Sequence, residues 1–135
     1  MKGIMGDADI FGHFKVLGTM LEDQSWQEIW HSLDLHCFTF EEFGLASDAP
    51  DSEVWHVCQR EEVALITANR NKAGPDSLEA TLRDHNNASS LPVFTISNAQ
   101  RFMDSKRYAQ RVVEKLLEYL LEIDAYRGTG RLYLP

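Results

Sequence analysis

The stretch VALITANRN, residues 63–71, decides the fold of this chain. Its first part, residues 63–66, is a continuous apolar run, which is typical of a strand buried on both faces in a parallel sheet. Polar residues follow from Thr67 and lead into a loop-forming segment, NKAGP at 71–75. In open parallel sheets, ligands bind beyond the carboxyl ends of the strands, near the point where strand order reverses. The polar end of this stretch is therefore the first candidate for a site.

Helices and strands alternate along the rest of the chain. We predict further strands near residues 3–7, 35–40 and 92–96, in the sheet order 2-1-3-4, with an added edge strand over 131–134. Apolar stripes and capping residues predict the helices between them, the last being one long helix after Ser97. Such alternation produces parallel sheets with right-handed crossovers. The expected fold is one α/β domain over residues 1–135, a three-layer sandwich with a mostly parallel sheet and helices on both faces.

Composition limits the possible functions. The chain has 135 residues and a net charge of −8, so a general basic surface for nucleic acid is excluded and any RNA contact must be local. Cys37 and Cys58 lack the spacing of a zinc site and are interpreted as two buried free thiols. There is no signal peptide and no long apolar run, so we expect a cytoplasmic protein without membrane contact.

The final helix predicts an interface. Leu116 and Leu120 belong to its main apolar stripe and should be buried against the sheet or a second subunit. Leu117 and Leu121 lie beside that stripe, and surplus apolar surface of this kind often marks an interface. We therefore expect a homodimer.

Acidic residues surround the predicted strand ends. Asp7 and Asp9 follow the first strand, and Asp51 opens the helix before the third. If strand one is central, these carboxylates converge in one cleft, where a hard cation such as Mg²⁺ or Mn²⁺ finds the oxygen ligands that it prefers. Each acid taken alone also suits a helix N-terminus, where it would cap backbone amides. The sequence leaves both interpretations open.

Short motifs in this region resemble the PIN-like domain family, which is related to the PIN nucleases of toxin–antitoxin pairs and of RNA processing. They are GDADI at 6–10, EFGL at 42–45, SDAPDSEV at 47–54 and LITANRN at 65–71. The resemblance covers roughly residues 4–97. It implies a metal-dependent ribonuclease that binds RNA, with a protein partner such as an antitoxin. It also implies that Asp7 or Asp9, Asp51 and position 69 face the metal.

The chain departs from the family pattern at the end of the third strand. Asn69 and Asn71 stand where the family has acids, and an amide binds Mg²⁺ far more weakly than a carboxylate does. Either the remaining acids are enough to bind the metal for cleavage, or the site has lost its activity and the domain binds RNA or a protein without cutting. In the first case Asn69 would orient a water or a phosphate, and Asn71, Arg70 and Lys72 would contact the RNA. A receiver-like signalling domain is a further alternative, but Asn69 counts against it because a phospho-acceptor there must be a carboxylate.

Overall fold

Five short strands form the centre of the molecule. They are β1 (Gly3–Gly6), β2 (His36–Phe38), β3 (Val63–Thr67), β4 (Val93–Ile96) and β5 (Arg131–Leu134). All neighbouring pairs are parallel and the order is β2-β1-β3-β4-β5. This computed structural model describes residues 1–68 and 74–135. It confirms the predicted order of the first four strands and the additional edge strand.

Six helices connect the strands within the described residues. They are α1 (Phe11–Leu21), α2 (Gln27–Ser32), α3 (Asp51–Arg60), α4 (Leu78–His85), α5 (Ala99–Asp104) and α6 (Lys106–Leu121), with 3₁₀ turns at Ala8–Ile10, Glu41–Phe43 and Ile123–Tyr126. The prediction of one long final helix is wrong, because the chain is extended at Ser105 (φ −124°, ψ 109°). The Ser105 hydroxyl then accepts a hydrogen bond from Tyr108 N at 3.2 Å and caps α6.

The two faces of the sheet carry separate cores. Successive side chains of a strand point to opposite faces, so on β3 Ala64 and Ile66 pack with α1, α5 and α6, while Val63 and Leu65 pack with α3 and α4. All five residues of β3 are buried, which explains why its sequence is apolar without alternation. The protein is therefore an α/β three-layer sandwich, as predicted.

The apolar surface of α6 lies mostly inside the chain's own core. Leu116 and Leu120 are buried, as predicted, and Leu117 is buried with them. Of the four leucines that suggested an interface, only Leu121 is exposed, at 56%. The surplus apolar surface is thus smaller than the sequence indicated, and the homodimer stays a prediction.

The two cysteines differ in exposure. Cys58 is a buried free thiol on α3, as predicted, but Cys37 is exposed, so the interpretation of two buried thiols is wrong. Cys37 lies on β2, and the edge position of this strand explains the difference. Within the described ranges, no helix combines the length and the apolar character that crossing a bilayer requires.

The strand order places a reversal point between β1 and β3. From β1 the chain moves to β2 on one side, then returns across β1 to β3 on the other side. Gly6 pairs with Ile66 in register, and Asp7 N donates a hydrogen bond to Ile66 O at 2.8 Å. The segments that leave β1 and β3 therefore meet at the edge where open α/β sheets bind ligands.

Candidate functional site

Asp7 and Asp9 meet at one hydroxyl group beyond the carboxyl ends of β1 and β3. Thr67 Oγ1 lies 3.0 Å from Asp7 Oδ2 and 3.3 Å from Asp9 Oδ1. Asp7 is 6% exposed and Thr67 is fully buried, whereas Asp9 is exposed. The structure thus brings together two of the predicted acids, with Thr67 between them.

Backbone amides hold the remaining oxygen of each carboxylate. Asp7 Oδ1 accepts from Ala8 N at 2.8 Å, and Asp9 Oδ2 accepts from Ala68 N at 3.2 Å. A threonine hydroxyl has a single hydrogen, so Thr67 cannot donate a full hydrogen bond to both carboxylates at once. Either the hydrogen is shared, or one carboxyl group is protonated and donates to Thr67 Oγ1.

Burial and mutual repulsion favour protonation in this pair. Burial raises the pKa of Asp7 from 3.8 to about 6, and the charges of Asp9 and Asp51 add to the shift, against the hydrogen bonds from Ala8 and Thr67. The pKa of Asp9 is also raised, chiefly by burial and further by the charge of Asp51. Both carboxyl groups thus keep their protons to higher pH than an exposed aspartate does, whereas a bound cation would lower both pKa values.

Asp51 contacts a neighbouring helix and also acts electrostatically on the acidic pair. It is the first residue of α3, and its Oδ2 accepts a hydrogen bond from Leu78 N, at the start of α4, at 3.1 Å. Its carboxylate therefore caps the amino terminus of a neighbouring helix. Asp51 still adds negative charge to the pair, since it raises the pKa of both Asp7 and Asp9. Its role as a metal ligand stays a prediction.

The remaining predicted site residues are Asn69, Arg70, Asn71 and Lys72, and they lie outside the described residues. Thr67, which joins the two acids, belongs to the polar end of the stretch 63–71 that was predicted to form a site, but no role was predicted for its side chain. Its place in the sequence could have indicated this role, because a hydroxyl side chain directly after the buried run VALI lies where the strand ends at the ligand-binding edge.

The donor set suits a largely hydrated cation. Among the described residues, no three or more His, Cys, Asp or Glu side chains are grouped so as to hold a metal ion. This does not fit a structural zinc site, which takes four protein ligands. Mg²⁺ keeps several of its waters and binds through one or two carboxylates. Asp7 and Asp9 therefore fit Mg²⁺ or Mn²⁺, and would hold it weakly.

An aromatic cleft that the sequence did not predict adjoins the acidic pair. Its volume is about 540 Å³, and it is lined by Gly6, Phe11, Phe14 and Lys15 on one side and by the segment around Phe38, Phe40 and Leu45 on the other. Phe11 is 41% exposed and follows Asp9 by two residues, so the same segment forms the acids and a wall of the cleft. The signal that could have found it is Phe11 itself, which lies outside the apolar stripe of Ile10, Phe14, Leu17 and Leu21.

Basic residues are concentrated on α5 and α6. Residues 101–115 contain five of the 13 Lys and Arg side chains, namely Arg101, Lys106, Arg107, Arg111 and Lys115, with only two acids among them. The segment starts just beyond β4, at the edge of the sheet that carries Asp7 and Asp9. The Arg101 guanidinium lies 5.0 Å from the centre of the Tyr108 ring. The basic segment thus begins at the carboxyl edge of the sheet with Arg101 and continues along α6, which leads back to the start of β5 at the opposite edge.

Comparison with known proteins identifies no relative, since no protein-family model, curated protein or solved structure matches this chain. The likeness to PIN-like domains therefore rests on the four motifs quoted above. The argument for function starts from the geometry of the carboxyl edge of the sheet.

Proposed function

We propose that this chain is a ribonuclease that depends on Mg²⁺ or Mn²⁺ and hydrolyses RNA at the carboxyl edge of its sheet. The observation that carries the proposal is the convergence of Asp7 and Asp9 on Thr67, at the point where strand order reverses. The resemblance to PIN-like nucleases supports the same reaction class. The raised pKa values of Asp7 and Asp9 show that negative charge is unfavourable at this site, which supports the binding of a cation there.

The residues of the chain have distinct parts in this proposal. Asp7 and Asp9 hold the divalent cation, which supplies Lewis-acid chemistry at phosphorus when it is bound. Thr67 and the amides of Ala8 and Ala68 fix the two carboxylates in place, so that little rearrangement is needed when substrate arrives. The hydrolysis cleaves a P–O bond of the RNA, and water supplies the oxygen added to phosphorus and the proton taken up by the leaving oxygen.

RNA is the substrate class that the charge distribution supports. The net charge of −8 repels a polyanion, so binding must rely on local positive surface. The basic segment 101–115 begins beyond the carboxyl end of β4, so Arg101 is the member of this segment that supports RNA binding at that edge. Arg70, Asn71 and Lys72 would add contacts, and Asn69 would orient a water or a phosphate, as the resemblance implies. Binding that relies on these cations weakens steeply as salt concentration rises.

The test is cleavage of a labelled single-stranded RNA with Mg²⁺, with Mn²⁺ and with EDTA. Wild type should cleave only with a divalent cation, and Asp7→Asn and Asp9→Asn should each reduce cleavage by about two orders of magnitude or more. Glu114→Gln, an exposed acid on α6, is the control with the same charge change. Equal activity of wild type and Asp7→Asn would show that the acidic pair does not act in the reaction.

A second candidate is an RNA-binding domain that does not cut. Two observations favour it: every oxygen of Asp7 and Asp9 already lies within hydrogen-bonding distance of a protein donor, and Asn replaces the acids expected at 69 and 71. In that case wild type binds RNA without cleaving it in millimolar Mg²⁺ or Mn²⁺, and Asn69→Asp with Asn71→Asp should partly restore the response to metal. Sedimentation of the chain alone tests the homodimer, and a protein partner such as an antitoxin remains part of the proposal.

A further inference from the structure

The walls of the aromatic cleft are formed by Phe11, Phe14 and Phe40, whose side chains are held by their neighbours. Phe40 is 4% exposed and fixed in the core, and the Phe11 ring stands edge-on against it, with centroids 5.2 Å apart and planes at 88°. Phe14 packs where a Cβ atom on Gly6 would lie, because that Cβ would be 2.5 Å from Phe14 Cβ. Neighbouring contacts thus hold these aromatic side chains in place before any ligand binds.

The exposure of Phe11 is unusual for a ring held in this way. A side chain that is 41% exposed leaves apolar surface in water, and covering that surface is favourable. The cleft volume of about 540 Å³ falls within the roughly 300–1,000 Å³ typical of ligand sites. A site of this size and composition suits an aromatic ligand better than an ion.

The charged and polar groups at the cleft fit a piece of a nucleic acid strand. Lys15 and Glu41 line the cleft with opposite charges. Lys15 can contact a phosphate, whereas the Glu41 carboxylate and the Ser47 hydroxyl can hydrogen bond to the amino group and the edge of a base. Phe11 lies two residues from Asp9, so their Cα atoms are at most about 7.6 Å apart. The cleft and the acidic pair are therefore formed by the same short segment, since Gly6 and Phe11 line the cleft and flank Asp7 and Asp9 in the chain.

We propose that the aromatic cleft holds one unstacked nucleobase of the RNA strand, packed against Phe11 and Phe14, beside the phosphodiester group that Asp7 and Asp9 address. This inference rests on the proposed function, because the occupant is a base of the same substrate. It adds a specificity site, since a base in double-stranded RNA is stacked and paired and cannot enter. Single-stranded RNA is thereby preferred over duplex RNA.

The test measures RNA affinity with the aromatic ring removed. A ten-nucleotide single-stranded RNA with a 5′ fluorophore is titrated with protein in EDTA, and its anisotropy gives Kd. Phe11→Leu keeps an apolar side chain but loses the ring, and should raise Kd about 5- to 100-fold, the usual effect of one base–aromatic contact. Tyr133→Leu is the matched control, because Tyr133 is an aromatic residue, 52% exposed, on edge strand β5 away from the cleft.

A second arm removes the base rather than the ring. The same RNA is prepared with one abasic residue at each position in turn. One position should weaken binding to wild type and make no difference to Phe11→Leu, since the two changes remove the same contact. Melting temperatures of the variants establish that each is folded.

The outcomes separate this inference from the proposed function. If Phe11→Leu binds and cleaves RNA as wild type does, the cleft is not a base site, although the ribonuclease stands. If wild type neither binds nor cleaves RNA, both proposals fail together. If sedimentation shows that Phe11→Leu changes a dimer to a monomer while Kd for RNA is unchanged, the cleft is an interface between copies and the base site is refuted.

Discussion

Replacing Asp7 by asparagine should stabilise the protein, and by an amount that depends on pH. The folded protein raises the pKa of Asp7 from 3.8 to about 6. At a pH between these two pKa values, the Asp7 carboxyl group is ionised in the unfolded chain and protonated in the folded protein. Each unit by which the pH rises in this range therefore lowers the free energy of unfolding by about 1.36 kcal/mol. The wild type therefore loses on the order of 3 kcal/mol as pH rises from about 4 to above 6. An asparagine at this position carries no charge and escapes the loss.

The hydrogen bonds around residue 7 can be kept in the Asp7→Asn variant. The amide oxygen replaces Oδ1 as the acceptor from Ala8 N, and the amide nitrogen can donate to Thr67 Oγ1. The Thr67 hydroxyl then accepts from residue 7 and can donate to Asp9. Because no buried group loses its partner, the gain from removing the charge should remain largely intact.

The measurement is urea unfolding of wild type and Asp7→Asn at pH 8 and at pH 4. We expect the variant to be more stable by about 1–3 kcal/mol at pH 8, with a difference close to zero at pH 4. Glu114→Gln, which is exposed on α6, should change stability little at either pH. An Asp7→Asn difference that is the same at both pH values would show that Asp7 is solvated like a surface acid, and would refute the account of this site.

Three further predictions follow from the same edge of the sheet and its neighbours. If the acidic pair binds Mg²⁺ with a Kd near 1 mM, 10 mM Mg²⁺ should stabilise wild type by about 1.4 kcal/mol and raise its Tm. The same increase of Tm in Asp7→Asn would contradict binding at the acidic pair. Gly6→Ala should destabilise the protein by about 1–3 kcal/mol in urea unfolding, because the new Cβ would lie 2.5 Å from Phe14 Cβ. An unchanged urea midpoint would mean that α1 can shift to make room for the methyl group. Ser77→Ala should cost about 1 kcal/mol in the same assay, because the Ser77 hydroxyl caps α4 through Ala80 N at 3.2 Å, while Ser77→Thr should retain most of the stability.

The sequence predicted the part of the molecule that follows from hydrophobic pattern and chain order. Runs such as VALI at 63–66 are apolar on both faces, so they could only be interior strands, and alternation with helices gave their order. Once that order is known, the reversal point lies between β1 and β3, and Asp7 must lie close to Thr67. The pairing of Asp7 with Asp9 follows from their adjacency on the segment that leaves β1.

The parts that were missed depend on how helices and loops pack on the sheet. Asp51 accepts a hydrogen bond from Leu78 N because α3 and α4 pack side by side. The sequence of either helix alone does not show how the two helices are placed relative to each other. The aromatic cleft joins Phe11 to Phe40, residues 29 positions apart whose contact is made by side chains alone. The break at Ser105 was hidden because no Pro or Gly separates Ala99 from Tyr108, so the sequence carries no strong helix-breaking signal there.

The bond from Asp7 N to Ile66 O also has a kinetic consequence. It joins the two central strands of the sheet, and closing the 60-residue loop between Asp7 and Thr67 costs about 4 kcal/mol of chain entropy. Such long-range contacts form slowly and, in the middle of a sheet, open only when the whole domain unfolds. The amide hydrogen of Asp7 should therefore exchange with solvent at the rate of global unfolding. The strand ends beneath the two acids should therefore stay closed for as long as the domain is folded.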